Sequence, residues 1–210
     1  MTLNSASTPQ PGANAASAPS AVDQRLGGWT HGWAAAATEL YNVMAGFEPG
    51  DFTAIGRRDV LALLLVSAAR NVERGAAELI GEHSAPVKGF AQAHPSLKVL
   101  RDRIEHFDEY IRGTGRFQTT RGAQGLAVDL GGAAGLDFHS AYGGGSEGHT
   151  ITFQSTELDN GKTVKKQYVV SIRAVTVAVR ALARDTLSEA GQLDDEHLAR
   201  CPMCQAPERI

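Results

Sequence analysis

At 210 residues the chain holds enough for one ordinary domain plus some tail. Its 20 Lys and Arg against 23 Asp and Glu leave a formal charge of -3, which excludes the global basic field that drives nonspecific binding to nucleic acid. Any RNA or DNA contact must therefore be local.

The basic residues are mostly arginine, 15 Arg to 5 Lys, a choice that suits bidentate contacts to phosphate or carboxylate and also accompanies GC-rich genomes. Two cysteines, Cys201 and Cys204, lie close together near the end, so no disulfide framework holds the body together and a reducing, cytoplasmic compartment is expected. The longest apolar run, Val60 to Val66, is far short of the roughly 20 residues that span a bilayer, so no membrane partner is expected.

Residues 1–24, "MTLNSASTPQPGANAASAPSAVDQ", are nearly devoid of large apolar side chains. They read as a disordered leader, since too little surface can be buried to offset the entropy of ordering them. Nothing in them matches a secretory or transit signal. Thr30 offers an N-cap to a helix in which Trp33, Ala37, Leu40 and Met44 share one face. Trp29 and Trp33 are expected to anchor that helix in the core. Asp59 offers the next cap, to "VLALLLVSAARNVERGAAELIGEH", whose first two turns are apolar nearly all round and must be buried on several sides.

A break at Ser84 to Pro86 and a short helical turn over residues 87–93 lead to Ser96, placed to cap a third long helix. There Leu97, Leu100, Ile104, Phe107 and Ile111 follow spacings of three and four without a miss, and Gly113 and Gly115 stop it. Residues 122–148 are so rich in glycine that they read as a flexible loop, with neither a GxGxxG nor a Walker pattern. His139 and His149 flank it and read as solvated loop histidines. Residues 149–170 then read as a β-hairpin about "DNGK", because Asn-Gly between β-branched alternating segments is the strongest short hairpin signal. Ser171 caps a last helix with Ile172, Val175, Val179, Leu182 and Thr186 along one side. The expected fold is thus all-α, an up-and-down bundle of about four helices with an inserted β-hairpin, spanning residues 25–190 and followed by a tail at 191–210.

Within the third helix, Arg101, Asp102 and His106 spell R-D-x-x-x-H. Here the chain resembles the HEPN superfamily (higher eukaryotes and prokaryotes nucleotide-binding domain), helical-bundle proteins many of which are RNases carrying R-x4-6-H with Asn, Asp or His after the arginine. The resemblance implies metal-independent, cofactor-free RNA cleavage in which a ribose 2′-hydroxyl attacks the adjacent phosphate. His106 would move the proton, as an imidazole titrates near neutral pH without special tuning. Arg101 would bind the scissile phosphate and Asp102 would orient the histidine.

On one helix Arg101 and His106 stand about 140° apart, so the resemblance further implies a homodimer whose two motifs meet in one cleft. A toxin-like enzyme of that kind leaves room for a neutralising protein partner. The same residues also fit ordinary surface pairs, Arg101 with Glu105, Asp108 with Arg112 and Asp102 with His106, in a non-catalytic helical module that binds a nucleotide or a protein.

Finally, His197, Cys201 and Cys204 form H-x3-C-x2-C, "HLARCPMC", a spacing compatible with three zinc ligands. A closed structural site wants four. The expectation is therefore an exposed, mobile terminus without metal, and no βαβ pattern precedes the cysteines as a thioredoxin-like site would require.

Overall fold

The computed structural model describes residues 18–47, 55–106, 109, 112, 114, 136–143, 148–160 and 162–210. The described residues are mostly helical with a small antiparallel sheet: α1 (Ala21–Ala45), α2 (Ile55–Ile80), α3 (Ala85–Ala93), α4 (Pro95–Glu105), β1 (Leu136–Gly143), β2 (Gly148–Asp159), β3 (Lys162–Ser171), α5 (Ile172–Glu189), α6 (Asp195–Arg200) and α7 (Pro202–Gln205). None of the described helices is long and apolar enough to cross a membrane. Residues 1–17 and most of the glycine-rich segment lie outside the described residues.

Helix α1 begins earlier than Thr30. Ser20 caps it, accepting from the Asp23 amide at 3.1 Å while Asp23 accepts from the Ser20 amide at 3.1 Å, a reciprocal capping box inside the stretch expected to be leader. Thr30 sits three turns on, fully buried, its hydroxyl donating to the Leu26 carbonyl at 2.8 Å. It faces Gly75 of α2, where an added Cβ would overlap the Thr30 hydroxyl, so glycine permits the close approach of these two helices. Asp59 likewise falls inside α2 rather than at its start.

The inner faces of α1, α2 and α5 pack on one another, joining Ala34, Ala37 and Met44 to Leu65, Ala69 and Val72 and to Val175, Val179 and Ala183. Small residues dominate the meeting of α1 with α2 and let two long helices lie close. Trp33 packs at the edge of this core, but Trp29 is 54 % exposed. The expectation that both tryptophans are core anchors is corrected for Trp29, which meets Trp33 edge-on at 5.6 Å between ring centres and lies half-exposed beside Gly75 of α2.

The hairpin forms about the expected turn. Asp159 pairs with Lys162, and Asn160 beside the pair takes φ 50°. The sheet has three strands in the order β1-β2-β3, all antiparallel, so part of the glycine-rich segment expected as loop is strand. Its period-2 register with β2 sets Phe138 opposite Phe153 and Tyr142 opposite His149. The face of the sheet turned to the helices carries His149, Ile151, Phe153 and Glu157 of β2 with Tyr168 and Val170 of β3. His149 is thereby buried rather than solvated. Burial and the nearby Arg58 both hold its imidazole pKa below the usual value.

Helix α4 ends at Glu105, well before the glycines, with His106 as its C-cap. Its buried stripe runs Leu97, Leu100, Arg103, so the third position of the apolar face is a cation. The Arg103 guanidinium forms an ion pair with Glu157 on β2, both essentially excluded from solvent. Tyr168 donates its hydroxyl to the same carboxylate at 3.0 Å and stacks on Phe153 with 4.7 Å between ring centres. Arg103 lies over the Tyr168 ring at 5.8 Å and also donates to the Val99 carbonyl at 3.2 Å. Lys166 stands at the rim, 3.8 Å from Glu157. The pair is the polar joint between α4 and the sheet.

A buried charge left without its partner is costly, so Arg103→Met or Glu157→Leu alone is expected to lower unfolding free energy by about 3–5 kcal/mol, and the double variant to recover most of that loss in urea denaturation. Additive losses in the double variant would mean that the two side chains act independently. Burial first, then the Glu157 carboxylate, pushes the Tyr168 phenol up to about 12. The folded form therefore keeps a proton that the unfolded form gives up near pH 10, and the contribution is intact below pH 10 and lost as pH rises from there toward about 12. An absorbance titration of tyrosinate should show a late step that Tyr168→Phe removes.

Candidate metal centre

The terminal segment is built onto the body by local signals in sequence. Helix α5 closes with Gly191 at φ 66°, its amide bonded to the Ser188 carbonyl at 3.1 Å and the Gln192 amide to that of Leu187 at 2.8 Å. These are the two bonds of a Schellman motif, which turns the chain sharply and favours glycine at the left-handed position. The turn delivers Gln192 to α1, where its side-chain amide donates to the Asp23 carbonyl at 2.8 Å. Gly27 makes room: a Cβ there would overlap the Gln192 side chain and touch Leu187 at 3.0 Å.

Asp194 then caps α6, accepting from the His197 amide at 2.7 Å. The four-residue step from His197 to Cys201 puts both on one side of that short helix, and the Cys201 amide bonds the His197 carbonyl at 2.9 Å. Pro202 opens α7, and the Cys204 amide bonds the Cys201 carbonyl at 3.0 Å, so the two cysteines share a single turn. Met203 and Cys204 are buried. Arg180 of α5 holds the end of the segment, donating to the carbonyls of Ala206, at 3.1 Å, and Arg209. The expectation of an exposed, mobile terminus is thus corrected: the tail packs on α5 and α1.

This packing brings a fourth donor that the local spacing lacks. His31 projects from α1 so that its Nε2 lies 3.2 Å from the Cys201 Sγ, and the His197 Nε2 lies 3.3 Å from the Cys204 Sγ. The two imidazoles meet edge to face with 5.2 Å between ring centres. One donor atom from each of His31, His197, Cys201 and Cys204 falls within 4.8 Å of all the others. For zinc held at about 2.3 Å by sulfur and about 2.0–2.1 Å by nitrogen, tetrahedral geometry puts N and S about 3.6 Å apart. The observed separations are close to that edge, so modest side-chain adjustment seats the ion.

The His31 side of the cluster suits such a site, and the Cys204 side does so only once a cation is bound. Burial, then the charge of His197, holds the His31 pKa below the usual imidazole value, so its ring is neutral at pH 7 and offers a lone pair. Burial pushes the Cys204 thiol up to about 12, with its hydrogen bond to Cys201 adding to the effect. A divalent cation reverses that preference by coordinating thiolate, and binding then releases protons. Two nitrogens and two sulfurs in a tetrahedral set select zinc among the common divalent ions, and four protein donors leave no open position for a substrate. A metal ion held by all four would have a closed shell of the structural kind.

The residues of the R-D-x-x-x-H motif are arranged differently. Arg101 is mostly buried and bridges to Glu105 one turn on. The Asp102 carboxylate lies 3.4 Å from Arg103. His106, half exposed at the end of α4, has its Nδ1 3.2 Å from Glu109. Arg101 and His106 are therefore each engaged by a nearby glutamate, Arg101 in the i,i+4 pairing that the helical spacing predicts. Phe107, Asp108 and Ile111, part of the expected continuation of this helix, lie outside the described residues.

Sequence reasoning passed over His31 because 166 positions separate it from His197 and a donor that far away leaves no spacing to count. The only local hint is its setting, "GGWTHGW", where Gly27 admits the tail. Comparison with family models, curated proteins and solved structures finds no match to this chain.

Proposed function

We propose that the chain is a zinc-clasped helical module, in which one zinc ion bound by His31, His197, Cys201 and Cys204 fastens the C-terminal segment to α1. The observation that carries the reading is the convergence of four donors from two parts of the chain far apart in sequence, with N···S separations of 3.2 and 3.3 Å. A closed His2Cys2 shell stabilises a fold and positions its surfaces rather than activating water. The body that the clasp closes is read as an up-and-down bundle, supported by the mutual packing of α1, α2 and α5, and the two thiol donors suit a reducing cytoplasm. Such a module presents binding surfaces to a nucleotide or a protein.

The purified chain should take up one equivalent of zinc, and cobalt substituted for it should show the intense visible absorption of a tetrahedral thiolate site. His31→Ala should weaken zinc affinity by at least tenfold, and chelation should lower the melting temperature of the wild-type chain while leaving that of the variant nearly unmoved. Zinc bound equally well by the His31 variant would sink the four-donor reading.

A second reading, RNA cleavage by a HEPN-like homodimer, is favoured by the half-exposed imidazole of His106 at the end of α4, on the same helix as Arg101 and Asp102. In that reading His106 moves the proton, Arg101 exchanges Glu105 for the scissile phosphate, and the second protomer supplies the complementary motif. His106→Ala should then abolish cleavage of total RNA while far-ultraviolet circular dichroism and melting temperature stay within error of the wild type. Undiminished cleavage by the variant, or none by the wild-type dimer, removes this reading.

A further inference from the structure

We propose that the clasp is a redox-controlled latch: oxidation of Cys201 and Cys204 to a disulfide expels the zinc and frees the terminal segment from α1. The inference rests on the zinc reading above and assigns it a form of regulation.

Three features of the site lead to it. Cys201 and Cys204 are the chain's two cysteines, so an oxidised pair has no other partner within the molecule. They are adjacent around one helical turn, joined by the bond from the Cys204 amide to the Cys201 carbonyl, and their sulfurs lie within 4.8 Å of each other. Access to them is unequal: Cys204 is buried and Cys201 is half-buried, which gives one sulfur that a small oxidant reaches first and a second behind it.

The oxidant is a hydroperoxide, with hydrogen peroxide the simplest. The Cys201 sulfur attacks the O–O bond, forming S–OH and releasing hydroxide, which a proton converts to water. The Cys204 thiolate then attacks that sulfur, the S–S bond forms, and the departing hydroxide takes up a second proton. Two thiolates, one peroxide and two protons thus become one disulfide and two waters, and two electrons pass from sulfur to oxygen. A disulfide cannot serve as two thiolate ligands, so the ion keeps only His31 and His197 and leaves as the hydrated cation.

The consequence is directional because the fasteners lie on different elements. Loss of the metal removes the link through His31, leaving Gln192 to Asp23 on the α1 side. The Arg180 contacts to Ala206 and Arg209 tie the tail's end to α5 and are untouched by the chemistry. The segment from α6 to α7 therefore lifts from α1 while its end stays tethered. What it uncovers is the half-buried surface of α1 around His31. A dithiol reductant with zinc present restores the closed form.

The test uses the full chain loaded with one equivalent of zinc, verified by metal analysis, and treated with hydrogen peroxide. Zinc release is followed with a chromophoric chelator, thiols by titration, intact mass by mass spectrometry and residues 195–205 by hydrogen exchange. Expected are one zinc released per two thiols lost, a mass change of two hydrogens, exchange rising at least tenfold in residues 195–205 but not in α2, and full reversal by dithiothreitol with zinc. Zinc retained under peroxide, or released only with conversion to sulfinic acid, overturns the latch and leaves the clasp standing. A chain that takes up no zinc at the outset overturns both.

Discussion

The close approach of α1 to the end of α5 is the constraint on which the candidate site depends. Gly27 lies against Leu187 and Gln192 with no space for a Cβ, and the left-handed Gly191 turns the chain back at the one place where Gln192 reaches the Asp23 carbonyl. A bulkier residue at 27 would displace the Gln192 side chain that bonds the Asp23 carbonyl. Two glycines with different duties, one sterically small and one conformationally free, thus let the start of the tail lie on α1.

A second joint, electrostatic rather than steric, holds the other side of the molecule. The buried Arg103–Glu157 pair ties α4 to the sheet, and the Tyr168 hydroxyl uses lone pairs of the carboxylate that the arginine leaves open. Such a pair is weak evidence of net stability but a strong determinant of where α4 lies, because displacing it strands a charge in the interior. It also determines the setting of the R-D-x-x-x-H motif. With Arg103 inward, Arg101 and His106 occupy other faces of the helix and each finds a glutamate. The two joints lie on separate elements, so a change at the tail need not disturb α4.

The metal reading and the RNA reading make different demands on the fold. The first is satisfied within a single chain, since all four donors come from one copy and burial holds the His31 pKa below its usual value. The second needs two copies, because one helix cannot aim Arg101 and His106 at the same atom. A closed centre of structural type is compatible with either role for the helical body. In the proposed clasp its contribution would be to make the packing of α1 and the tail conditional on an ion, and through the thiols on the redox state around it.

Sequence alone determined those features that depend on neighbours a few positions apart. The helical periodicity of α2, α3, α4 and α5, the Ser171 cap, the Asn160-Gly161 turn and the His197-Cys201-Cys204 spacing were all legible, since hydrogen bonds and side-chain faces in these elements repeat over three to five residues. Element ends were less so. The Ser20–Asp23 capping box was hidden in a leader-like composition, β1 in glycine-rich surroundings, and nothing local marks the end of α4 at His106. Only the tertiary structure decided that Arg103 is the arginine fully buried, that Trp29 stays half-exposed, and that His31 completes a donor set assembled from distant parts of the chain. A motif is read along the backbone, whereas a coordination shell is filled through space, and only the packing of α1 against α5 relates the two.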